Sequence, residues 1–242
     1  MVTRPSPPSA PVASSPRPRG RRRADADLDM RERLLACATQ LFGEQGIAAT
    51  TMAQIAAAAG VTSAMVHYYF TNREKLLDAV VEERIARSIA FVWESVEGDA
   101  AHDPHALVEE LVTRLFDVTA RMPWLPPLWL REIVNEGGLL RERMIKRLPI
   151  EQLQRFAARI GEAQHDGRVN AELEAPLLFI SILALVMLPL ATSKLWQSAR
   201  GFPRIEREAL HRHVSALLRA ALRPAAQEKR GRRATTAKGE TS

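Results

Sequence analysis

Between residues 62 and 69 the chain reads Thr-Ser-Ala-Met-Val-His-Tyr-Tyr. At helical period Thr62, Ser63, Ala64, His67 and Tyr68 share one outward face, while Met65 or Val66 and then Tyr69 return toward a core. Two hydroxyls, a methyl, an imidazole and a phenol at this spacing suit recognition of a polar surface. Hydroxyls bond base edges or phosphate, and the Ala64 methyl fits a thymine methyl. Small residues at the helix start let that end enter a major groove, with His67 and Tyr68 reaching further. Thr50, Thr51, Tyr69 and Arg73 flank this face and join it as candidate DNA contacts. Thr51 and Thr71 start helices whose free N–H groups can meet phosphates. If His67 meets phosphate as imidazolium, DNA affinity should rise on acidification through the ordinary histidine range.

Other side-chain chemistry finds no partner in the sequence. His102 and His105 are three apart, His211 and His213 two apart, and neither pair has a carboxylate or cysteine set beside it. No metal site is expected. Nor does a glycine-rich phosphate loop occur, so neither cofactor nor enzymatic activity is expected. The single cysteine, Cys37, excludes a disulfide framework and suits a reducing cytosol. The N-terminus lacks an apolar core of signal-peptide type. An apolar run at 177–191 is interrupted by Pro189 and is shorter than the ~20 residues of a spanning helix. A cytoplasmic protein is expected.

The elements positioning these residues are all helical: apolar residues recur at three- and four-residue steps, and no alternating strand pattern occurs. The spacing predicts about nine helices. The first covers 28–45, ended by Gly46. Two short helices turn at Gly60, with Thr51-Gln54 as a capping box on one and Thr62 as N-cap of the other. Thr71-Glu74 reads as a capping box for a long helix reaching Gly98. Further helices are expected at 103–122 (Asp103 as N-cap, Pro104 at N1), 127–136, 139–165 with a kink at Pro149, 174–197 and 205–222.

Net charge is +6, and its placement is uneven. Residues 1–24 hold six arginines and no acid; residues 224–242 carry five basic and two acidic groups. The stretch between them is net acidic. Flexible basic arms on an acidic body suit a polyanion partner. Four units follow: a disordered basic arm (1–27), a helix-turn-helix unit (28–75), a larger helical domain (76–223) and a disordered basic tail (224–242). Residues 28–77 hold four basic and four acidic groups, so the helix-turn-helix has no positive field of its own. Arg21, Arg22 and Arg23 are therefore assigned to the DNA backbone or minor groove. Deletion of residues 1–24 should then weaken DNA binding and its salt dependence.

The runs Phe42-Gly43-Glu44-Gln45-Gly46, Thr50 to Ala56, Ala59-Gly60-Val61-Thr62, His67-Tyr68-Tyr69-Phe70 and Arg73 to Leu77 together resemble the DNA-binding domain of TetR/AcrR-type repressors. The likeness covers about residues 30–80. It departs at three recognition-helix positions: Ser63 stands where lysine is frequent, Ala64 where glycine is frequent, and His67 where tyrosine is frequent. Arg73 stands for a phosphate-contacting lysine and keeps the charge. The resemblance implies a homodimer on a palindromic operator, acting as a repressor released by a small ligand.

It also implies that part of the apolar set after residue 90 lines a ligand pocket: Trp93, Phe116, Met122, Trp124, Trp129, Phe156, Phe179 and Met187. No charged cluster converges there in sequence, which favours a neutral or weakly charged hydrophobic effector. The helix at 177–191 is apolar on nearly every face and needs partners on two sides. With the last helix it is expected to form the dimer interface, through Leu183, Val186, Leu190, Leu210, Val214 and Leu217. Two other readings compete with a regulator. One is an architectural protein binding any DNA through its tails; the other is a small-molecule binder or enzyme with an unrelated N-terminus.

Overall fold

The computed structural model of the protein describes residues 19–94, 103–202 and 204–224, with side chains from residue 27 onward. Eleven helices and no strand occur among the described residues. The N-terminal group is α1 (Arg19–Gln45), α2 (Met52–Ala59) and α3 (Ser63–Phe70). The fourth helix, α4, runs from Arg73–Val80 through a π-helical turn, Val81–Ile85, into Ala86–Trp93. After it come α5 (Pro104–Arg121) and α6, which is Leu125–Trp129 extended by a second π turn, Leu130–Val134. The chain closes with α7 (Arg141–Ile145), α8 (Ile150–His165), α9 (Ala175–Ala191), α10 (Ser193–Ser198) and α11 (Arg207–Leu222).

Local chemistry explains most boundaries. Leu34, Leu35, Ala38 and Phe42 bury one stripe of α1, and Gly46 ends the helix at φ 90°. The capping box of α2 is formed in full: the Gln54 N–H donates to Thr51 Oγ1 at 3.2 Å, and the Thr51 N–H donates to Gln54 Oε1 at 2.7 Å. Gly60 at φ 68° closes α2 as a Schellman motif, with its N–H on Ala57 O and the Val61 N–H on Ala56 O. Asp103 caps α5, accepting the His105 N–H at 3.0 Å ahead of Pro104.

Four local expectations are corrected. Helix α1 starts at Arg19, so residues 19–27, expected as disordered arm, are helical; residues 1–18 lie outside the described set, as does nearly all of the C-terminal tail. The arginines and alanines of this stretch favour helix, which lets α1 propagate outward. The cap of α4 is Asn72, whose side chain accepts the Lys75 N–H at 2.9 Å, rather than Thr71. Thr71 instead has φ 56° and ψ −56° and forms a γ-turn in which the Asn72 N–H meets Phe70 O. The predicted helices at 139–165 and 174–197 are each split in two, raising the count above nine. Pro149 stands at the N-cap of α8 because proline disfavours helix in the residue before it. Pro189 is tolerated within α9, which ends two residues later at Ala191.

Helix α1 packs on α2, α4 and α6; α9 lies against α5, α6, α8 and α11; and α11 covers α5. Buried residues from both halves form one contiguous cluster, and α4 crosses the expected 75–76 boundary unbroken. The helix-turn-helix and the larger helical layer thus share a wall.

Candidate nucleic-acid interface

Helix α3 anchors itself through Val66 and Phe70, both buried, while Met65 and Tyr69 are half-buried. This leaves Thr62, Ser63, Ala64, His67 and Tyr68 exposed on one face, with Tyr68 the most prominent at 73%. Thr62 is the N-cap by backbone, yet its side chain makes no capping bond, so the hydroxyl stays free for an external partner. The His67 Nδ1–H donates to the Thr71 carbonyl at 3.0 Å, because a carbonyl can only accept. Nε2 is then the ring nitrogen left free for an external partner. This bond also secures the C-terminal end of α3, a role its sequence position did not reveal.

Three of the other candidate contacts take structural roles. Thr50 is 1% exposed; its hydroxyl donates to Gly46 O at 2.8 Å and accepts from Gln45 Nε2 at 3.1 Å. It builds the turn beneath Thr51 and faces no surface. Tyr69 turns to α1, donating its hydroxyl to Asp27 at 3.2 Å; partial burial and that bond push the phenol above its ordinary range. Its ring meets Tyr68 edge-on at 5.0 Å, which steadies the exposed ring. Arg73 folds back to donate to Ile47 O, so its guanidinium is committed to the α1–α2 turn. Thr51 remains exposed. Arg21, Arg22 and Arg23 sit on the first turns of α1, and their side chains lie outside the described set.

The α1–α2 turn is held from the opposite side by a buried carboxylate that the sequence did not single out. Glu132, in the π turn of α6, accepts the Ile47 N–H through Oε1 and the Leu139 N–H through Oε2, each at 3.1 Å. Behind it, Gly43 of α1 lies so close to Trp124 that a Cβ there would fall 2.6 Å from the Trp124 Cβ. Ion pairs tie α4 to both neighbours. Arg31 grips Glu83 with two bonds of 2.5 Å, and Arg143 bonds Asp78 at 2.9 Å and also Glu74. The hydrogen bonds from these arginines hold the carboxyls of Glu83 and Asp78 below their ordinary range.

A cavity of about 350 Å³ lies beyond this junction, between α4, α5, α6, α7 and α9. Of the predicted pocket residues, Trp93, Trp129, Phe179 and Met187 line it. Phe156 stands one layer back, meeting the rings of Trp93 and Phe179 at 6.4 Å each. Phe116 stacks on His211 at 4.6 Å, Met122 places its sulfur 3.7 Å from the Ser88 hydroxyl, and Trp124 is the neighbour of Gly43. None of these four lines the cavity. For two of them the cause is simple: Phe116 is turned toward α11 and Trp124 toward α1 rather than inward.

The residues of the expected dimer set divide between core, cavity and surface. Val186, Leu210 and Val214 are buried within the protomer, Leu183 lines the cavity and Leu190 is half-buried. Only Leu217 is exposed. The apolar face left open on α9 is offset to Leu177, Ile180 and Leu188, because contacts with α5, α6, α8 and α11 use the remainder. Among the described residues no group of histidine, cysteine or carboxylate side chains could hold a metal, and no helix is long and apolar enough to cross a membrane.

Residues 34–80 match the family described as bacterial regulatory proteins, tetR family. The chain is 31% identical over 100 residues to the HTH-type transcriptional regulator BetI of Rhizobium meliloti, covering 41% of this chain and 48% of that protein. With the HTH-type transcriptional repressor KstR2 of Rhodococcus jostii it shares 24% identity over 149 residues, 62% of this chain and 72% of that one. The chain spans about half the length of the first curated relatives it matches. The solved structure of the ketosteroid transcriptional regulator KstR2 of Mycobacterium tuberculosis has the same fold, with a TM-score of 0.65 at 17% identity over 80% of this chain and 94% of that one. Through the helix-turn-helix at residues 34–80, set in an all-helical fold of this kind, the chain is similar to the tetR family of bacterial regulatory proteins.

Proposed function

We propose that the protein is a sequence-specific DNA-binding regulator of transcription, a repressor that a small apolar ligand releases from a palindromic operator in the cytoplasm. The observation that carries this reading is the open face of α3, where Thr62, Ser63, Ala64, His67 and Tyr68 are exposed together while Val66 and Phe70 fix the helix from behind. Such a face reads bases in a major groove. Its affinity is supplemented by the arginines at the start of α1, since the reading face itself holds no lysine or arginine.

Release requires a path from cavity to α3, and two helices provide one. Helix α4 lines the cavity with Ile85, Ile89 and Trp93 and is joined directly to α3. Helix α6 lines it with Trp129 and Ile133 and holds the α1–α2 turn through Glu132. Each carries a π turn, a local widening of the helix that is frequent at functional sites. A ligand that wedges these helices apart shifts α3 relative to its two-fold mate. The mate docks through Leu177, Ile180, Leu188 and Leu217, the apolar side chains that α9 and α11 leave open.

Footprinting of the DNA upstream of the protein's own gene, at physiological salt, tests the reading. The expected result is one protected, two-fold-related site. A uniform shift of any DNA without protection supports an architectural protein instead, and no shift at all overturns DNA binding.

A further inference from the structure

We infer that the ligand is an apolar carboxylate whose head group seats on Arg141. This rests on the regulator reading above and names the chemistry of its effector. The cavity wall is almost wholly hydrocarbon and aromatic, and the polar side chains on it are Ser88, Thr119 and Arg141. Two of these are already engaged. The Ser88 hydroxyl donates to Arg84 O at 2.9 Å, and the Thr119 hydroxyl donates to Phe116 O at 3.0 Å while accepting from Arg207 at 2.6 Å.

Arg141 differs. It donates from Nη1 to Val134 O at 3.1 Å and has no ion pair among the described residues, whereas Arg143 and Arg147 on the same stretch both hold carboxylates. A guanidinium bordering an apolar wall, on a half-buried residue and with further N–H groups unspent, is matched by an anion that brings its own apolar body. One cation favours a monoanion, and the planar fork suits a carboxylate. This narrows the expectation of a neutral or weakly charged effector to a monoanion, because Arg141 reaches the cavity only through the tertiary placement of α7.

The site is also wired to the DNA-reading half. Arg141 follows Leu139 and Leu140, whose N–H groups both bond Glu132, one to the carboxylate and one to its backbone carbonyl at 3.1 Å. Glu132 in turn holds Ile47. A head group that draws Arg141 from Val134 O therefore acts on the segment gripping the α1–α2 turn.

The test uses the full chain, wild type and the variants Arg141→Gln and Arg141→Lys, with two probe pairs: dodecanoate against dodecanol and 4-phenylbutanoate against 4-phenylbutanol. Affinity is read from the emission of Trp93 and Trp129, and function from release of the DNA fragment upstream of the gene. For at least one pair, wild type should bind the acid about tenfold or more tighter than the alcohol, the equivalent of a charge-assisted hydrogen bond. Arg141→Gln should abolish that preference with alcohol affinity unchanged, and Arg141→Lys should restore part of it. Equal binding of acid and alcohol by wild type, or a preference that survives in Arg141→Gln, overturns the assignment. Release of DNA by acids and alcohols alike leaves the regulator reading standing and removes only the carboxylate. If no probe changes emission or DNA binding, the carboxylate assignment falls, and footprinting with no effector present still decides the regulator reading separately.

Discussion

The carboxylate of Glu132 accepts the backbone N–H of Ile47 at 3.1 Å across a sequence separation of 85 residues. One side chain of α6, the helix that lines the cavity with Trp129 and Ile133, thereby satisfies a peptide group in the turn that carries α2. Its second oxygen takes the Leu139 N–H, so both lone-pair faces are used, and the group is only 5% exposed. A buried carboxylate held this way is costly to remove, because two backbone donors lose their partner together.

Substitution of Glu132 by alanine should therefore destabilise the fold by about 3 kcal/mol, lowering the thermal midpoint by roughly 6–12 °C. Circular dichroism melting measures this. A loss within about 0.5 kcal/mol of zero, the range of an ordinary surface change, would show that the bond is not formed in solution.

Gly43→Ala places a methyl against Trp124, where neither backbone has room to retreat. Overpacking of this kind costs about 1–3 kcal/mol and should splay α1 from α6. The expected outcome is a lower thermal midpoint together with a change in DNA affinity at temperatures where the variant is still folded. Melting curves and gel shifts on the same preparation separate the two effects.

The reading face and its supports should respond differently to substitution. Tyr68→Ala and Thr62→Ala remove exposed groups; each should leave stability within about 0.5 kcal/mol and weaken specific DNA binding by about 1–3 kcal/mol. Thr50→Ala removes a buried hydroxyl and should instead cost about 1 kcal/mol of stability, with affinity per folded molecule preserved. Titration of a footprinted fragment, alongside melting, distinguishes the patterns.

Acid should loosen the ties around α4. The carboxyls of Asp78 and Glu83 lie below their ordinary range in the folded protein because Arg143 and Arg31 bond their charged forms. Their contribution is complete above the unfolded carboxyl value of about 4 and is lost as pH falls through the lower folded values. In melting curves recorded from neutral pH downward, Asp78→Asn and Glu83→Gln should reduce stability at neutral pH, and their difference from wild type should vanish at the acid end. A constant difference across the whole range would refute the assignment.

Charge placed on the open apolar face should break the dimer and spare the protomer. Ile180→Glu is expected to sediment as a folded monomer. Val214→Glu, at a side chain 1% exposed, should unfold the chain. A dimeric Ile180→Glu would locate the interface elsewhere.

The sequence alone determined the helix-turn-helix, because its requirements are local. Thr51 and Gln54 cap each other within one turn, Gly60 supplies a left-handed residue, and the alternation of faces in α3 follows from 3.6-residue periodicity. The exposed set Thr62, Ser63, Ala64, His67 and Tyr68 was legible for the same reason. Thr50, Tyr69 and Arg73 were not, since their partners Gly46, Asp27 and Ile47 are fixed by how the chain turns back on itself. In the larger domain, hydrophobicity showed which residues leave water but not toward which neighbour. Trp93 and Phe179 face a cavity whereas Phe116 faces His211, and Val186 is core whereas Leu188 is surface, through the orientation of whole helices. Glu132 and Arg141 look like solvated charges in a helical stretch. Only tertiary packing makes one a buried bridge to Ile47 and the other a cation on an apolar wall with no ion pair among the described residues, because burial and distance, not residue type, set what a charge can do.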